Sequence, residues 1–391
     1  MSAEVTKIFL IAGEHSGDAL GGKLIQALKA QSARPLEFRG VGGESMEAQG
    51  LHSMFPLAEL AVMSLLDVIP RLPHIWRRIR ECVAAVIAFD PDVLVILDSP
   101  EFTHRVAKRV RRKSPQIPIV DYVSPSVWAW RPWRARSMRH YVDHILAILP
   151  FEPEAHRRLG GPPCTYIGHP MTERLDGIAK LDPETLRKQL SIAKNVPVLV
   201  VLPGSRSSEV KRLMAPFGDA LGLLKARIPS LEVILPVVES VRGLVEAGIR
   251  NWPVKPHLVT RDDDKFAAFK LARAAVAASG TVTLELALSG TPLVVAYNAD
   301  PLAQKFRFLL IAHSVVLPNL VLGENAVPEL LQEDCEGGKL SQALLPLIKG
   351  GPERDRQLEA LARVTERMRE TSGVPSDKAA RIVLDFVRPR A

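Results

Sequence analysis

The 391-residue chain is poor in cysteine, in aromatic rings and in long apolar runs, and each shortage removes a class of function. Its 3 cysteines, Cys82, Cys164 and Cys335, are far apart in sequence, so neither a disulfide framework nor a metal-ligand spacing is written here. A reducing compartment is expected. No uncharged run reaches the roughly 20 residues of a membrane-spanning helix. The longest, Phe308 to Gly323, contains His313, Pro318 and Asn319. Association with a membrane is therefore expected from the side. "KIFLIAG" is short for the apolar part of a secretion signal and runs into an acid and a glycine turn, so it reads as a first buried strand. Neither GxxxxGKS/T nor a well-placed GxGxxG occurs, which leaves an NTPase and a nicotinamide enzyme unsupported.

Hydrophobic residues make up 47% of the chain and charged residues 24%, the balance of an ordinary globular protein long enough for two cores. The formal net charge of +8 is concentrated: from Arg71 to Arg139 there are 14 Arg and Lys against 6 Asp and Glu, and the remainder is neutral. Such a block suits an anionic partner, or else forms a solvated helix face.

Short apolar strands alternate with helical stretches along the N-terminal half: "KIFLIAGEHSGD", "LEFRGVGG", "DVLVILDSPEF", "IPIVDYVSPSVWAW", "HILAILPFEPEA". Uninterrupted apolar strands separated by helices mean a parallel sheet covered on both faces. The pattern pauses around "CTYIGHPMTERL" and restarts with "VPVLVVLPGSRSSEV", "LEVILPVVES", "KPHLVTRDDDKF", "ARAAVAASGTVTLELALSG" and "TPLVVAYNAD". The expected fold class is α/β, with two doubly wound, Rossmann-like parallel-sheet domains facing across a cleft. The domains are placed at 1–172 and 173–351, with a linker between Gly168 and Asp182. A helical, charged segment at 352–391 is expected to cross back onto the first half. Ligands of open parallel sheets bind beyond the carboxyl ends of the strands, and each polar turn above lies at such an end.

In the second half, Gly204, Ser205 and Arg206 follow one buried strand, and Ser279, Gly280 and Thr281 follow another. Both turns open a helix, where free N–H groups and partial positive charge favour an anion. Arg206 adds a donor fork suited to a diphosphate. Ser279 or Thr281 would cap the second helix. Glu285, one turn on from Thr281, would take the hydroxyls of a ribose. Each residue alone also reads as a helix cap or a first-turn acid; together they favour a nucleoside diphosphate. "RDDDKF" reads as a solvated turn.

In the first half, Asp98 ends a buried strand just before Pro100, where partial burial would make it a usable general base or where it caps a helix. Glu14, Ser16 and Asp18 in "AGEHSGDALGG" lie on an acceptor-side turn that also reads as a capping sequence. Three of the 5 tryptophans crowd one stretch, "YVSPSVWAWRPWR". Trp128, Trp130 and Arg131 there suit a nucleic acid, a membrane or a greasy anionic substrate, although core packing absorbs some of the rings. Met63, Leu66, Val68, Ile69 and Leu72 form an apolar stripe flanked by arginines, which fits a helix lying in a membrane interface. Anionic lipid would attract such cations by roughly 1 kcal/mol each. A core helix with a basic outer face fits as well. His169 receives no chemistry.

Nearly the whole chain resembles the lipid-A-disaccharide synthase family, bacterial glycosyltransferases of the GT-B fold. The motifs that carry this are "AGEHSGDALG", "FRGVGGESMEAQG", "LAVMSLLDVIPRL", "YVSPSVWAWR", "LPFEPE", "IGHPM", "LPGSRSSEV", "SGTVTLELALSGTPLVVAY" and "PNLVLGENAVPELLQEDC". The resemblance implies transfer from UDP-2,3-diacylglucosamine to 2,3-diacylglucosamine 1-phosphate, giving a β-1,6-linked lipid A disaccharide 1-phosphate and UDP. It implies no metal and no cofactor, and a peripheral place on the cytoplasmic face of the inner membrane, held by an anionic surface. It makes Asp98, in its "D-x-P-x-F" context, the base, adds Asn319 and Gln332 near the donor, and puts Trp128, Trp130 and Arg131 along the path of the acyl-bearing, phosphorylated acceptor. A homodimer through exchange of the C-terminal segment is left open. The rival readings are another enzyme of this fold, an epimerase or a transferase on a polyprenyl-linked sugar, and a single-strand nucleic-acid binder, for which no RNA-binding motif is present.

Overall fold

The computed structural model describes residues 5–60, 65–298, 311–369 and 373–388, the side chains of 65–71 excepted. The described chain divides into two compact units, Met1–Thr172 with Glu370–Ala391, and Glu173–Arg369. Each is built on one parallel sheet, the α/β class expected from the sequence.

In the first unit the strands are β1 (Thr6–Ala12), β2 (Leu36–Val41), β3 (His52–Ser53), β4 (Val93–Leu97), β5 (Ile119–Tyr122), β6 (His144–Ala147) and β7 (Cys164–Tyr166). They pair in the order β3-β2-β1-β4-β5-β6-β7, all parallel. Alternating side chains feed two cores, as period-2 strands require. Phe9, Ile11, Leu94 and Ile96 pack under α2 (Leu65–Phe89) and α3 (Pro100–Lys113), while Ile8, Leu10, Val93 and Val95 pack under α1 (His15–Gln31). Burial on both faces explains why β4 reads as an unbroken apolar run.

The second unit repeats the plan with β8 (Val198–Leu202), β9 (Glu232–Pro236), β10 (His257–Val259), β11 (Ala274–Ala278), β12 (Leu293–Tyr297) and β13 (Glu329–Leu331). These pair in parallel in the order β10-β9-β8-β11-β12-β13. Helix α4 (Ser207–Arg227) follows β8, α5 (Asp262–Leu271) follows β10, and α6 (Thr281–Leu288) follows β11. Phe217, Leu221 and Leu224 of α4 interlock with Leu340, Leu344 and Leu347 of α7 (Gly337–Lys349) against Leu199, Val201 and Val276.

The C-terminal segment splits at residue 369. Helix α8 (Pro352–Met368) stays with the second unit, where the buried Gln357 amide brackets β12 by accepting from Leu293 N at 2.6 Å and donating to Leu293 O at 3.0 Å. Only α9 (Pro375–Asp385) returns to the first unit, burying Ala379, Ala380 and Val383 beside α1. The expectation that all of 352–391 crosses back is corrected accordingly: Leu361 and Val364 are buried on α8 within the second unit.

In both sheets the strand order reverses once, between β1 and β4 and between β8 and β11. Helices leaving these neighbouring strands go to opposite faces, so a crevice opens at the carboxyl ends. Asp98 and Ser16 stand at the first reversal, Arg206 and Thr281 at the second.

Candidate active site

At the first reversal the turn after β4 is wound tightly. Asp98 and Ser99 both take left-handed backbone, with φ of 53° and 45°. Two successive non-glycine residues in that region cost on the order of 1 kcal/mol or more each, a strain that collects at functional sites. Local bonds hold it: Ser99 N donates to Asp98 Oδ1 at 2.7 Å, and Thr103 Oγ1 donates to Asp98 O at 2.7 Å. Ser16 Oγ then donates to Asp98 Oδ2 at 2.6 Å, joining the turn after β1 to the turn after β4. The approach is possible because residue 13 is glycine; a Cβ there would lie 2.1 Å from Ser99 Cβ. The half-buried carboxylate of Asp98 is thus aimed by Ser16 and by its own neighbour's amide.

Glu14, at the N-cap of α1, is exposed beside Ser16. Asp18 is not, and its acceptor-side assignment is corrected. It is 4% exposed, and its two oxygens accept from Gly43 N at 2.7 Å, Ser45 N at 3.0 Å and Met46 N at 3.1 Å. It fastens the glycine turn after β2 by satisfying the amides that open the short helix Glu44–Glu47.

The tryptophan stretch divides by burial. Trp128 is half-buried, packs edge-on to Phe151 with ring centroids 5.0 Å apart, and donates from Nε1 to Glu152 Oε1 at 3.1 Å. Trp130 is exposed with the Arg131 guanidinium 3.9 Å from its ring centre, and Trp133 is the more exposed at 60%. Arg131, Arg134 and Arg105 gather on Glu101, the second residue of α3. Burial works against the Glu101 carboxylate, but the bonds from Arg134 and Arg105 outweigh it and hold its pKa below the usual value. Beneath lie groups that the sequence did not single out. Glu152 is buried, accepts from Ile148 N at 3.1 Å, Leu149 N at 3.0 Å and Trp128, and is pushed by burial to a pKa of about 7. His104 Nε2 stands 3.4 Å from the buried Asp121 carboxylate, and its Nδ1 is 3.0 Å from the Tyr141 hydroxyl.

Met63 and the side chains of Leu66, Val68 and Ile69 lie outside the described residues. Leu72 is 37% and Trp76 40% exposed, whereas Ile79, Cys82, Val83 and Val86 further along α2 are core. The Arg109 and Arg105 guanidinium groups stand over the Trp76 ring at 4.7 and 5.8 Å. No helix of the described residues is long and apolar enough to cross a membrane.

At the second reversal the expected residues converge. One cavity of ≈ 440 Å³ is lined by Gly204, Ser205 and Arg206 from the turn after β8, and by Ser279, Gly280, Thr281 and Glu285 from the turn after β11 and α6. Gly204, at φ 111°, leaves room for Glu209, whose Oε2 would sit 2.3 Å from a Cβ at that position. Glu209 accepts from Ser205 N at 3.2 Å and from Arg206 Nη1 at 2.9 Å, holding the loop at the mouth of α4. The expectation that Ser279 or Thr281 caps α6 is corrected. Gly280 is the N-cap with no side-chain bond, and the Ser279 hydroxyl donates instead to Val315 O at 2.7 Å. The opening amides of α6 therefore carry no side-chain cap, the arrangement that favours an anion.

The same cavity corrects the reading of "RDDDKF" as a solvated turn. Arg261, Asp262 and Lys265, at the start of α5, line it too. Lys265 Nζ bridges Asp262 Oδ1 at 2.9 Å and Glu285 Oε2 at 3.0 Å. The sequence signal for Lys265 is only its place in the first turn of α5, just beyond the carboxyl end of β10, which β9 and β8 separate from β11. Asn319, expected near the donor, is corrected to a supporting place. It is fully buried, donates to Val327 O and Glu329 Oε1 at 2.9 Å each, and accepts from Val327 N at 2.8 Å. Glu329 accepts from Val315 N at 3.1 Å, so Asn319 holds the loop on which Ser279 rests. Gln332, left-handed at φ 53°, begins the turn after β13 and is not among the residues lining this cavity.

Comparison with known proteins adds a family. The model of the family described as lipid-A-disaccharide synthetase matches residues 8–383. The chain is 53% identical over 385 residues to the lipid-A-disaccharide synthase of Rhodopseudomonas palustris strain HaA2, covering 98% of this chain and 97% of that one. It is 51% identical over 383 residues to the synthase of Nitrobacter winogradskyi, covering 98% and 96%. Among solved structures, UDP-GlcNAc 2-epimerase from Neisseria meningitidis bound to UDP-GlcNAc superposes with a TM-score of 0.65 at 12% identity, over 97% of this chain and 99% of that one. A glycosyltransferase from Rickettsia africae does so with a TM-score of 0.60 at 12% identity, over 98% and 99%. At such identities these structures speak to the fold alone.

Proposed function

The chain belongs to the lipid-A-disaccharide synthase family, and from that premise we propose how its residues divide a glycosyl transfer. It is a hexosyltransferase of lipid A biosynthesis, taking a UDP-sugar and a lipid acceptor. In the proposed assignment the donor is UDP-2,3-diacylglucosamine and the acceptor 2,3-diacylglucosamine 1-phosphate. The carboxylate of Asp98 takes the proton of the acceptor 6-hydroxyl, the oxygen attacks the anomeric carbon opposite UDP, the bond to the diphosphate breaks, and the centre inverts. UDP leaves carrying the electron pair. A base of this kind contributes about 10²–10⁴-fold.

The observation that carries this reading is the held carboxylate: Asp98 sits on strained backbone at the sheet reversal with Ser16 donating at 2.6 Å. Ser16 fixes the orientation of the base. In the second unit, Arg206, Lys265 and the opening amides of α6 surround the ≈ 440 Å³ cavity and suit the growing charge of the departing diphosphate. Glu285, held by Lys265, is the ribose acceptor in this assignment.

We assign the exposed Leu72 and Trp76, with the arginines stacked on Trp76, to an anionic bilayer on the cytoplasmic side of the inner membrane. The test of the function is UDP release by purified protein given the acylated donor and acceptor. Release that requires both substrates supports it, and epimerisation of UDP-GlcNAc without release contradicts it.

A further inference from the structure

A second cavity, of ≈ 200 Å³, lies within the first unit, and of its lining residues only Arg105, at 5.8 Å the more distant of the two arginines over Trp76, entered the assignment above. Pro100 and Glu101, which begin α3 directly after the Asp98 turn, form one wall. Arg105 and Lys108 follow on the same helix, Arg134 and Ser137 face them, and the His104 ring and Tyr141 hydroxyl close the floor.

Its charge is unbalanced. Three lining cations, Arg105, Lys108 and Arg134, share one lining carboxylate, Glu101, which Arg131 also engages. No carboxylate among the described residues forms an ion pair with Lys108, whose ammonium stands 4.9 Å from the Tyr141 ring centre. Burial, followed by repulsion from Arg134, Arg112 and Arg105, pushes Lys108 below its ordinary pKa. Two positive charges remain uncompensated, and a phosphate monoester carries about −1.5 to −2 at neutral pH. Guanidinium forks and an ammonium match its oxygens in geometry as well as charge.

We propose that this cavity is the subsite for the phosphate monoester of the acceptor, with Lys108, Arg105 and Arg134 as its ligands. The proposal deepens the functional reading above and rests on it. Seating the phosphate beside Glu101 positions the acceptor sugar near Asp98, three residues earlier in the chain. The sequence placed the phosphorylated acceptor along Trp128, Trp130 and Arg131; here the phosphate itself goes to the neighbouring face of α3.

The test uses the full chain, UDP-2,3-diacylglucosamine, and two acceptors, 2,3-diacylglucosamine with and without its 1-phosphate. Wild-type protein prefers the phosphorylated acceptor. In Lys108→Gln that preference, read as the ratio of the two kcat/KM values, falls about 10- to 100-fold, mainly through KM, as loss of a charge-assisted bond requires. Lys108→Arg restores most of it. Lys108 belongs to neither hydrophobic core of the first unit, and the melting transition of each variant checks that it folds. Equal losses on both acceptors, or an unchanged ratio, overturn the subsite. Binding to phosphatidylglycerol vesicles separates a lipid headgroup from the acceptor. Vesicle binding lost in Lys108→Gln with the preference intact assigns the cations to the membrane and overturns the proposal. Wild-type protein that releases UDP with neither acceptor overturns the functional reading itself, a failure distinct from a changed ratio.

Discussion

Single side chains here do one of two jobs, and burial decides which. Asp18 and Asn319 belong to motifs that look like ligand binders, yet each is buried with its polar atoms committed to backbone amides or a carboxylate. Arg206 is the opposite case, 73% exposed at the mouth of a cavity. Arg206→Ala is expected to weaken UDP binding about 10- to 100-fold, the scale of lost charge-assisted hydrogen bonds, while changing stability by less than ~0.5 kcal/mol. Calorimetric titration with UDP measures this, and an unchanged affinity removes Arg206 from the nucleotide site. Buried histidine sets the acid limb of stability. His156 is fully buried, its Nε2 is 2.7 Å from Ser124 Oγ, its Nδ1 has no hydrogen-bond partner among the described residues, and burial pushes its pKa from 6.5 to about 4. His169 is shifted the same way, to about 4. Between pH 6.5 and 4 the unfolded chain binds protons that the folded imidazoles refuse, so stability falls on acidification. Glu152, protonated on folding below about 7, offsets one of the two. His156→Gln is therefore expected to flatten the acid limb by up to about 1.4 kcal/mol per pH unit, read from denaturant midpoints at several pH values. An identical slope in both proteins contradicts the assignment.

Elements were legible in proportion to how completely they are buried. β1, β4, β8 and β11 are central strands covered on both faces, so they appear as continuous apolar runs, and the polar turns at their ends are the ones that meet at the sheet reversals. The strands that escaped notice, β3, β7 and β13, are two- or three-residue edge strands, too short for any pattern. Lys265, His104, Asp121 and Tyr141 escaped for another reason: they reach their sites from elements distant in sequence, and local periodicity carries no record of such convergence. α2 is half legible. Its C-terminal part is core, and Leu72 and Trp76 remain exposed beside stacked arginines. Replacing both by serine is expected to weaken binding to phosphatidylglycerol vesicles about tenfold or more, since each buried apolar side chain contributes on the order of 1.5–3 kcal/mol. The melting transition should stay within ~1 kcal/mol of wild type, because neither residue is in the core. Equal vesicle affinity in a cosedimentation assay removes this face from the membrane.

For the molecule as a whole, the two units use one architectural device for different chemistry. Each sheet reverses its strand order once, and each reversal gathers two turns. In the first unit those turns deliver a carboxylate and the serine that aims it. In the second they deliver an uncapped helix terminus, an arginine and a bridged lysine around a cavity. The proposed base and the proposed nucleotide cradle thus belong to separate compact units and should fail separately. The most direct measurement is UDP affinity and single-turnover rate in Asp98→Asn, which keeps the shape of the side chain and removes its basicity. The account predicts UDP affinity within about twofold of wild type and a rate reduced by about 10²–10⁴-fold. A variant that turns over at the wild-type rate, or one that loses UDP binding along with turnover, would contradict it.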